Sequence, residues 1–305
     1  MSIKNVLFID ANQYLDLYRT VGGEKLLAPL QEQQGHILVT TQVVDEVYRR
    51  KLGVTAGFLA AKVSESKLNS TAAPDLAPRT VDAIVVRIRK RLQNIRIKLS
   101  HDLLEQVSQS KDEVSKALAG VFSQAVAHTE GELQRARVRK EHGNPPGKQS
   151  DPLGDQLSWE QILSRCHDKP GLWIITNDSD YGAIHAGEMF LNAALYQELA
   201  RLYQSEPPVY CFTNIVDGLK HFAEKTGAKA ENLPTPEEAE QIKKEQESLP
   251  PLDWLTNYDD SYPLAMRLQD GFRMRDSLVA PWLSQVISSG EVILPPTKNA
   301  DKDGT

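Results

Sequence analysis

Apolar residues follow two different rhythms along this chain, and their alternation predicts an α/β protein. Ile3 to Ile9 is rich in β-branched residues and barely alternates, as a strand buried on both faces of a parallel sheet does. Helical spacing follows over roughly Asn12–Arg19 and Gly23–Gln34, and Gly35 separates the second stretch from a short strand, His36 to Thr40. Thr41 is placed to cap the next helix, whose apolar stripe is Val43, Val44 and Val47.

From about 54 to 140 the spacing stays helical, with Pro74 and Pro78 as the strong breaks, which predicts an all-helical insertion. Ile84, Ile88, Leu92 and Ile95 form one apolar stripe with the arginines outside it, and two long segments are expected to pack as a hairpin. A loop dense in glycine and proline, His142 to Gly147, leads through Asp151-Pro152-Leu153-Gly154-Asp155 into a helix over about 156–166. The strand Leu172-Trp173-Ile174-Ile175-Thr176 restores the α/β rhythm. A helix over about 191–203, a strand at 209–212 and a helix over about 215–225 complete a sheet of four or five strands.

Three regions are expected: an α/β domain over 1–227 that contains the insertion, an acidic linker or exposed helix over 228–249, and a C-terminal extension over 250–305. Trp254, Tyr258, Tyr262, Phe272 and Trp282 give the extension enough aromatic surface to be ordered, and the tail after 295 is expected to fray.

Composition narrows the function. The 305 residues are 40% hydrophobic, enough for an ordinary core. No run of about 18 apolar residues is present to cross a bilayer, and the start lacks a signal-peptide pattern, which makes a cytoplasmic location the expectation. Cys166 and Cys211 have no metal-type spacing. A net charge of −6 argues against a protein that coats nucleic acid, so local cation clusters matter more than the average. They occur at Arg87, Arg89, Lys90 and Arg91, and again at Arg135, Arg137 and Arg139. No GxSxG elbow, GxxxxGK[ST] loop, GxGxxG turn or HExxH pair is present, which removes most of the weight from serine hydrolase, nucleotide and zinc-protease readings.

Carboxylates remain. Asp10, Asp155 and Asp178 stand where predicted strands end or helices begin, the edge at which open parallel sheets bind ligands. Asp10 closes a buried strand, where an isolated charge must be paired, capping or metal-bound; Asn12 is the better-placed helix cap. Helical geometry chooses between Asp45 and Glu46: at 100° per residue Glu46 lies about 110° from the centre of the valine stripe and Asp45 about 150°, so Glu46 flanks the buried face. Asp155 heads a stripe continued by Trp159, Ile162 and Cys166, although Gly154-Asp155 would also serve as a cap. Asp178 and Asp180 sit in a turn that such residues favour for local reasons alone. Gathered together, such groups would repel one another unless a divalent cation neutralised them.

With these segments in order, the chain resembles PIN-domain nucleases, in particular the bacterial PIN-like group with a long helical insertion. The resemblance is carried by Val6 to Asn12, Val43 to Val47, Gly154-Asp155-Gln156-Leu157-Ser158-Trp159 and Ile174 to Tyr181, and spans about residues 3–225. It implies a three-layer α/β/α sandwich and Mg²⁺- or Mn²⁺-dependent hydrolysis of phosphodiesters, with single-stranded RNA favoured over DNA. Carried over by position, Asp10, Glu46, Asp155 and Asp178 would form the metal set. Asp180 and Asp151 would assist, and Thr176 or Asn177 would orient a ligand or water. Water would attack phosphorus in line, with no covalent intermediate. The cations at Arg87, Arg89, Lys90, Arg91, Arg135, Arg137 and Arg139 would hold the substrate backbone without reading bases. Toxin, defence and RNA-processing roles, an inhibitory protein partner and a homo-oligomer are all left open.

Two other classes compete. One is a nuclease-shaped scaffold that binds RNA or a protein without cutting, which the intact acidic positions disfavour. The other is a phosphatase or phosphotransferase, which would want Asp-x-Asp after the first strand, where this chain has Asn12.

Overall fold

The structure is a computed structural model that describes residues 5–65, 79–147, 153–167, 169–249 and 252. Its centre is a parallel four-stranded sheet of β1 (Val6–Ile9), β2 (Ile37–Leu38), β3 (Leu172–Ile175) and β6 (Val209–Phe212), in the order β2-β1-β3-β6. Leu7 pairs with Ile37 on one side and Trp173 on the other, and Ile174 pairs with Cys211. All residues of β1 and β3 are buried, which is why both read as unbroken apolar runs.

Helices cover this sheet. β1 leads into α1 (Ala11–Asp16); a 3₁₀ segment (Val21–Leu26) then runs into α2 (Leu27–Glu32). The single helix expected over 23–34 is thus divided; a Cβ at Gly23 would lie 3.0 Å from Leu17 O, so glycine lets the 3₁₀ segment approach the end of α1. α3 (Thr41–Glu65) follows β2, and α4 (Arg79–Ser108), α5 (Glu113–Phe122), α6 (Glu130–Glu141) and α7 (Gly154–Cys166) precede β3. Among the later elements, α9 (Ile215–Thr226) packs on β3 and β6, and α7 packs on β1.

Between β3 and α8 (Ala193–Tyr203) the chain forms a hairpin that the apolar pattern did not predict, β4 (Gly182–His185) with β5 (Glu188–Leu191). Its turn residues Ala186 and Gly187 have φ of 51° and 82°. Positive φ at both central positions suits the right-handed twist of the paired strands. The acidic segment after α9 contains α10 (Pro236–Glu247), opened by a capping box between Thr235 and Glu238. Glu245 accepts from the Gly22 N–H at 2.9 Å and Glu238 pairs with Lys25 at 2.7 Å, so α10 packs on the 3₁₀ segment instead of acting as a spacer.

The described chain divides into two units, one containing residues up to Thr55 and from Gln106 onward, the other within Ala56–Glu105. The boundary between the units falls inside the helical stretch 54–140, whose part from Gln106 onward belongs with the first unit. α5 packs on α2, and Val126 donates to Val39 O at 2.9 Å while its own carbonyl accepts from Thr41, which ties the end of β2 to the loop after α5. Helical periodicity records which residues share a face, not which body that face packs against. The joint of the expected hairpin, 66–78, lies outside the described residues, as do Asp151 and the aromatic residues expected to order the extension.

Candidate metal centre

Asp10 is the residue at which β1 becomes α1. Its N–H donates to Ile175 O at 3.0 Å, continuing the β1–β3 ladder, and its Oδ1 accepts from Ala11 N at 2.7 Å. Asp10 is itself the helix cap; Asn12, expected to cap, lies inside the first turn. The other oxygen, Oδ2, accepts from the Thr176 hydroxyl at 2.9 Å. Thr176 is held at the adjacent strand end by its own N–H, which donates to Phe212 O at 2.9 Å.

Thr176 also accepts from the Asp178 N–H at 3.0 Å, and Asp178 Oδ1 accepts from the Asp180 N–H at 2.9 Å. These nested turns follow β3 directly and hold Asp178 where its charge acts on Asp10. Asp155 arrives from α7, whose cap residue Leu153 offers no side-chain hydrogen bond. Asp155 therefore stands within the first turn and is not the cap. A Cβ at Gly154 would lie 2.7 Å from Gln42 Nε2, so glycine lets this turn approach the start of α3 closely. Carboxylate oxygens of Asp155, Asp178 and Asp180 lie within 4.8 Å of one another.

Glu46 is half-buried and Asp45 exposed, the division that the helix geometry predicts. Arg50 donates to Glu46 Oε1 at 2.7 Å and lies 3.5 Å from Asn12 Oδ1, so this carboxylate has a cation one turn away. Asn177 is exposed.

Like charges dominate the electrostatics. Burial, followed by the charge of Glu46, pushes the Asp10 carboxyl up to about 7, against the hydrogen bonds from Thr176 and Ala11; Asp178 adds to the rise. Burial, then Asp10, Asp178, Glu46 and Asp180, pushes Asp155 up to about 8. The charged groups acting on Asp155 are all acidic.

Tyr181 closes one of the segments that carry the resemblance, but the sequence assigned it no role. Its ring packs near Phe8 and Trp159, with centroids at 6.2 and 6.3 Å, and it is fully buried. Among the described residues its hydroxyl finds no hydrogen-bond partner, and burial and then Asp155 hold the phenol well above its usual range. A buried hydroxyl without a partner beside several carboxylates fits a pocket arranged for something further. Oxygen donors in this number suit Mg²⁺ or Mn²⁺ better than soft metals.

The expected phosphate-binding cations divide. Arg87, Lys90 and Arg91 are exposed on α4, which also carries Arg89. Arg135 is half-exposed but donates to Glu160 at 2.8 Å, and Arg137 lies 3.7 Å from Glu130. Arg139 is a correction. It is buried, with Glu160 and Glu198 each 2.7 Å from Nη2 and the Pro145 carbonyl 2.8 Å from Nη1, so its donors serve the fold.

No family model, curated protein or solved structure matches this chain. No helix among the described residues is long and apolar enough to cross a membrane.

Proposed function

We propose that this protein is a metal-dependent nuclease of the PIN-like kind, a three-layer sandwich that hydrolyses phosphodiester bonds of single-stranded RNA. The observation that carries this reading is the joining of Asp10 to Asp178 through Thr176, with Asp155 and Glu46 near enough to repel them.

Asp155, Asp178 and Asp180 would hold a divalent cation, with Asp10 as the buried anchor at the strand end and Glu46 close enough to act on Asp10 and Asp155. When bound, Mg²⁺ or Mn²⁺ supplies Lewis-acid stabilisation of phosphate charge and lowers the pKa of water at the site. Thr176 fixes the rotamer of Asp10 by donating to Oδ2, and the Asp178 turn fixes the loop. The Tyr181 hydroxyl, protonated at neutral pH, is available as a donor to a water or a phosphate oxygen. Arg137, exposed on α6, remains a candidate for contacts to the nucleic-acid backbone, which carry affinity but no sequence preference.

Cleavage of end-labelled single-stranded RNA and DNA in Mn²⁺, Mg²⁺ or EDTA tests the proposal. RNA is expected to be cut with either metal and left intact in EDTA, with Asp10→Asn and Asp155→Asn each losing about 100-fold or more in rate. Cutting in EDTA, or undiminished cutting by both variants, would overturn it.

A further inference from the structure

The turn after β3 fixes the backbone of Tyr181 on both sides. Its N–H donates to Asp178 O at 3.3 Å, and its carbonyl accepts from Asn192 N at 2.8 Å. The ring lies near Phe8, two residues before Asp10, and near Trp159, one helical turn after Asp155. It is thereby wedged between the two elements that carry Asp10 and Asp155. Asp155 acts most strongly on its phenol, followed by Asp10, Asp178 and Glu46, so the hydroxyl lies against the acidic cluster.

Tyr14 supplies a contrast within the same fold. It too is fully buried, and its hydroxyl too finds no hydrogen-bond partner among the described residues. Its ring packs edge-on against Phe122 of α5, with centroids at 5.2 Å, and Asp10 is the one carboxylate that acts on its phenol. Two orphaned phenols are therefore present, and Tyr181 is the one set against the whole cluster.

A buried hydroxyl without a partner weakens the fold that holds it. Beside several carboxylates, the species that would satisfy it is a hydrated divalent cation. Mg²⁺ and Mn²⁺ take a near-octahedral shell of oxygens, and Mg²⁺ in particular gives up its waters reluctantly. Asp155, Asp178 and Asp180 fill only part of such a shell. A cation turns the oxygen of each bound water toward itself and the protons outward. An uncharged phenol oxygen can accept from that water where a further carboxylate would add to the repulsion. We propose that the Tyr181 hydroxyl is the hydrogen-bond partner of a water in the cation's hydration shell, and so sets how tightly the cation is held without touching it. Tyr181 has this role only if the acidic cluster takes a cation, the reading proposed above.

Urea unfolding in EDTA and calorimetric Mn²⁺ titration of the full chain, both without nucleic acid, separate this role from a structural one. In EDTA, Tyr181→Phe is expected to unfold at the same urea concentration as wild type or at a higher one, since no hydrogen bond is lost. Its affinity for Mn²⁺ should fall about tenfold, the size typical of groups that support a metal's ligands. Tyr14→Phe should behave alike in EDTA but bind Mn²⁺ within about twofold of wild type. A lower urea midpoint for Tyr181→Phe would show that the phenol serves the fold and overturn the role. Unchanged Mn²⁺ affinity, as for a hydroxyl that meets only a substrate phosphate, or an equal loss in Tyr14→Phe, would overturn it too. If wild type binds Mn²⁺, Asp155→Asn loses it and Tyr181→Phe keeps it, this role alone falls. If wild type binds no Mn²⁺, the metal reading falls and takes this role with it.

Discussion

Helix α7 supports two charged clusters in one body of the protein, and they are resolved in opposite ways. At its middle, Glu160 is buried against Arg139, which also grips Glu198; Glu198 in turn accepts from Trp159 Nε1 at 2.8 Å. Burial works against the Arg139 charge, but Glu198 and Glu160 outweigh it and hold the guanidinium above its ordinary pKa. At its first turn, Asp155 meets Asp10, Asp178, Glu46 and Asp180. One cluster carries its own cation. The other gathers acids, of which Glu46 pairs with Arg50. On the proposed reading, the strand-edge cluster is the one that a divalent cation would neutralise.

Removing the internal cation should have the largest effect. Arg139→Met leaves Glu160 with only the half-exposed Arg135 and Glu198 with only the Trp159 indole N–H, and is expected to cost about 3 kcal/mol in urea unfolding. A loss under about 1 kcal/mol would mean that the cluster is solvated and that the contrast between the two ends of α7 is false.

The acidic cluster should show itself next, in the pH dependence of stability. Asp10 and Asp155 have folded-state values near 7 and 8 against an ordinary 3.8. The folded chain keeps protons that the unfolded chain has already released, so stability is fully present below about pH 4 and is lost as pH rises through 7 to 8. Because the two acids titrate as a coupled set, the loss in metal-free protein between pH 5.5 and 8.5 is on the order of a few kcal/mol. Melting temperatures at pH 5.5 and 8.5 in EDTA would measure it, and millimolar Mn²⁺ should shrink the difference. A slope of opposite sign would remove the repulsion argument.

The smallest effect has the opposite sign from the first. Asp10→Asn removes a repelled charge while keeping an oxygen for Ala11 N, so at pH 8 in EDTA it should stabilise the chain by on the order of 1 kcal/mol. Destabilisation of that size would show that the carboxylate serves mainly as a helix cap.

These comparisons also mark what sequence could convey. β1 and β3 were legible because strands buried on both faces cannot alternate, and Glu46 was separable from Asp45 because helical angle alone decides which one borders a buried stripe. The cap at Asp10 was missed by two positions, since Asp and Asn are nearly equal caps and helix starts are poorly bounded in sequence. Arg139 was misread as a surface cation because its partners come from α7 and α8, 21 and 59 residues away. The stripe on α4 was legible as a stripe, but its exposure was not: periodicity is the same whether a face is buried or exposed. Tyr181 left no signal, because a tyrosine after a turn gives no indication that its hydroxyl is buried without a partner.

Calorimetric titration of Mn²⁺ into the metal-free full chain at pH 7.5 tests the central claim most directly. The account predicts saturable binding that Asp155→Asn and Asp10→Asn each weaken by about tenfold or more, with protons released on binding because both acids are partly protonated beforehand. No binding at millimolar Mn²⁺, or binding that both variants leave unchanged, would contradict it.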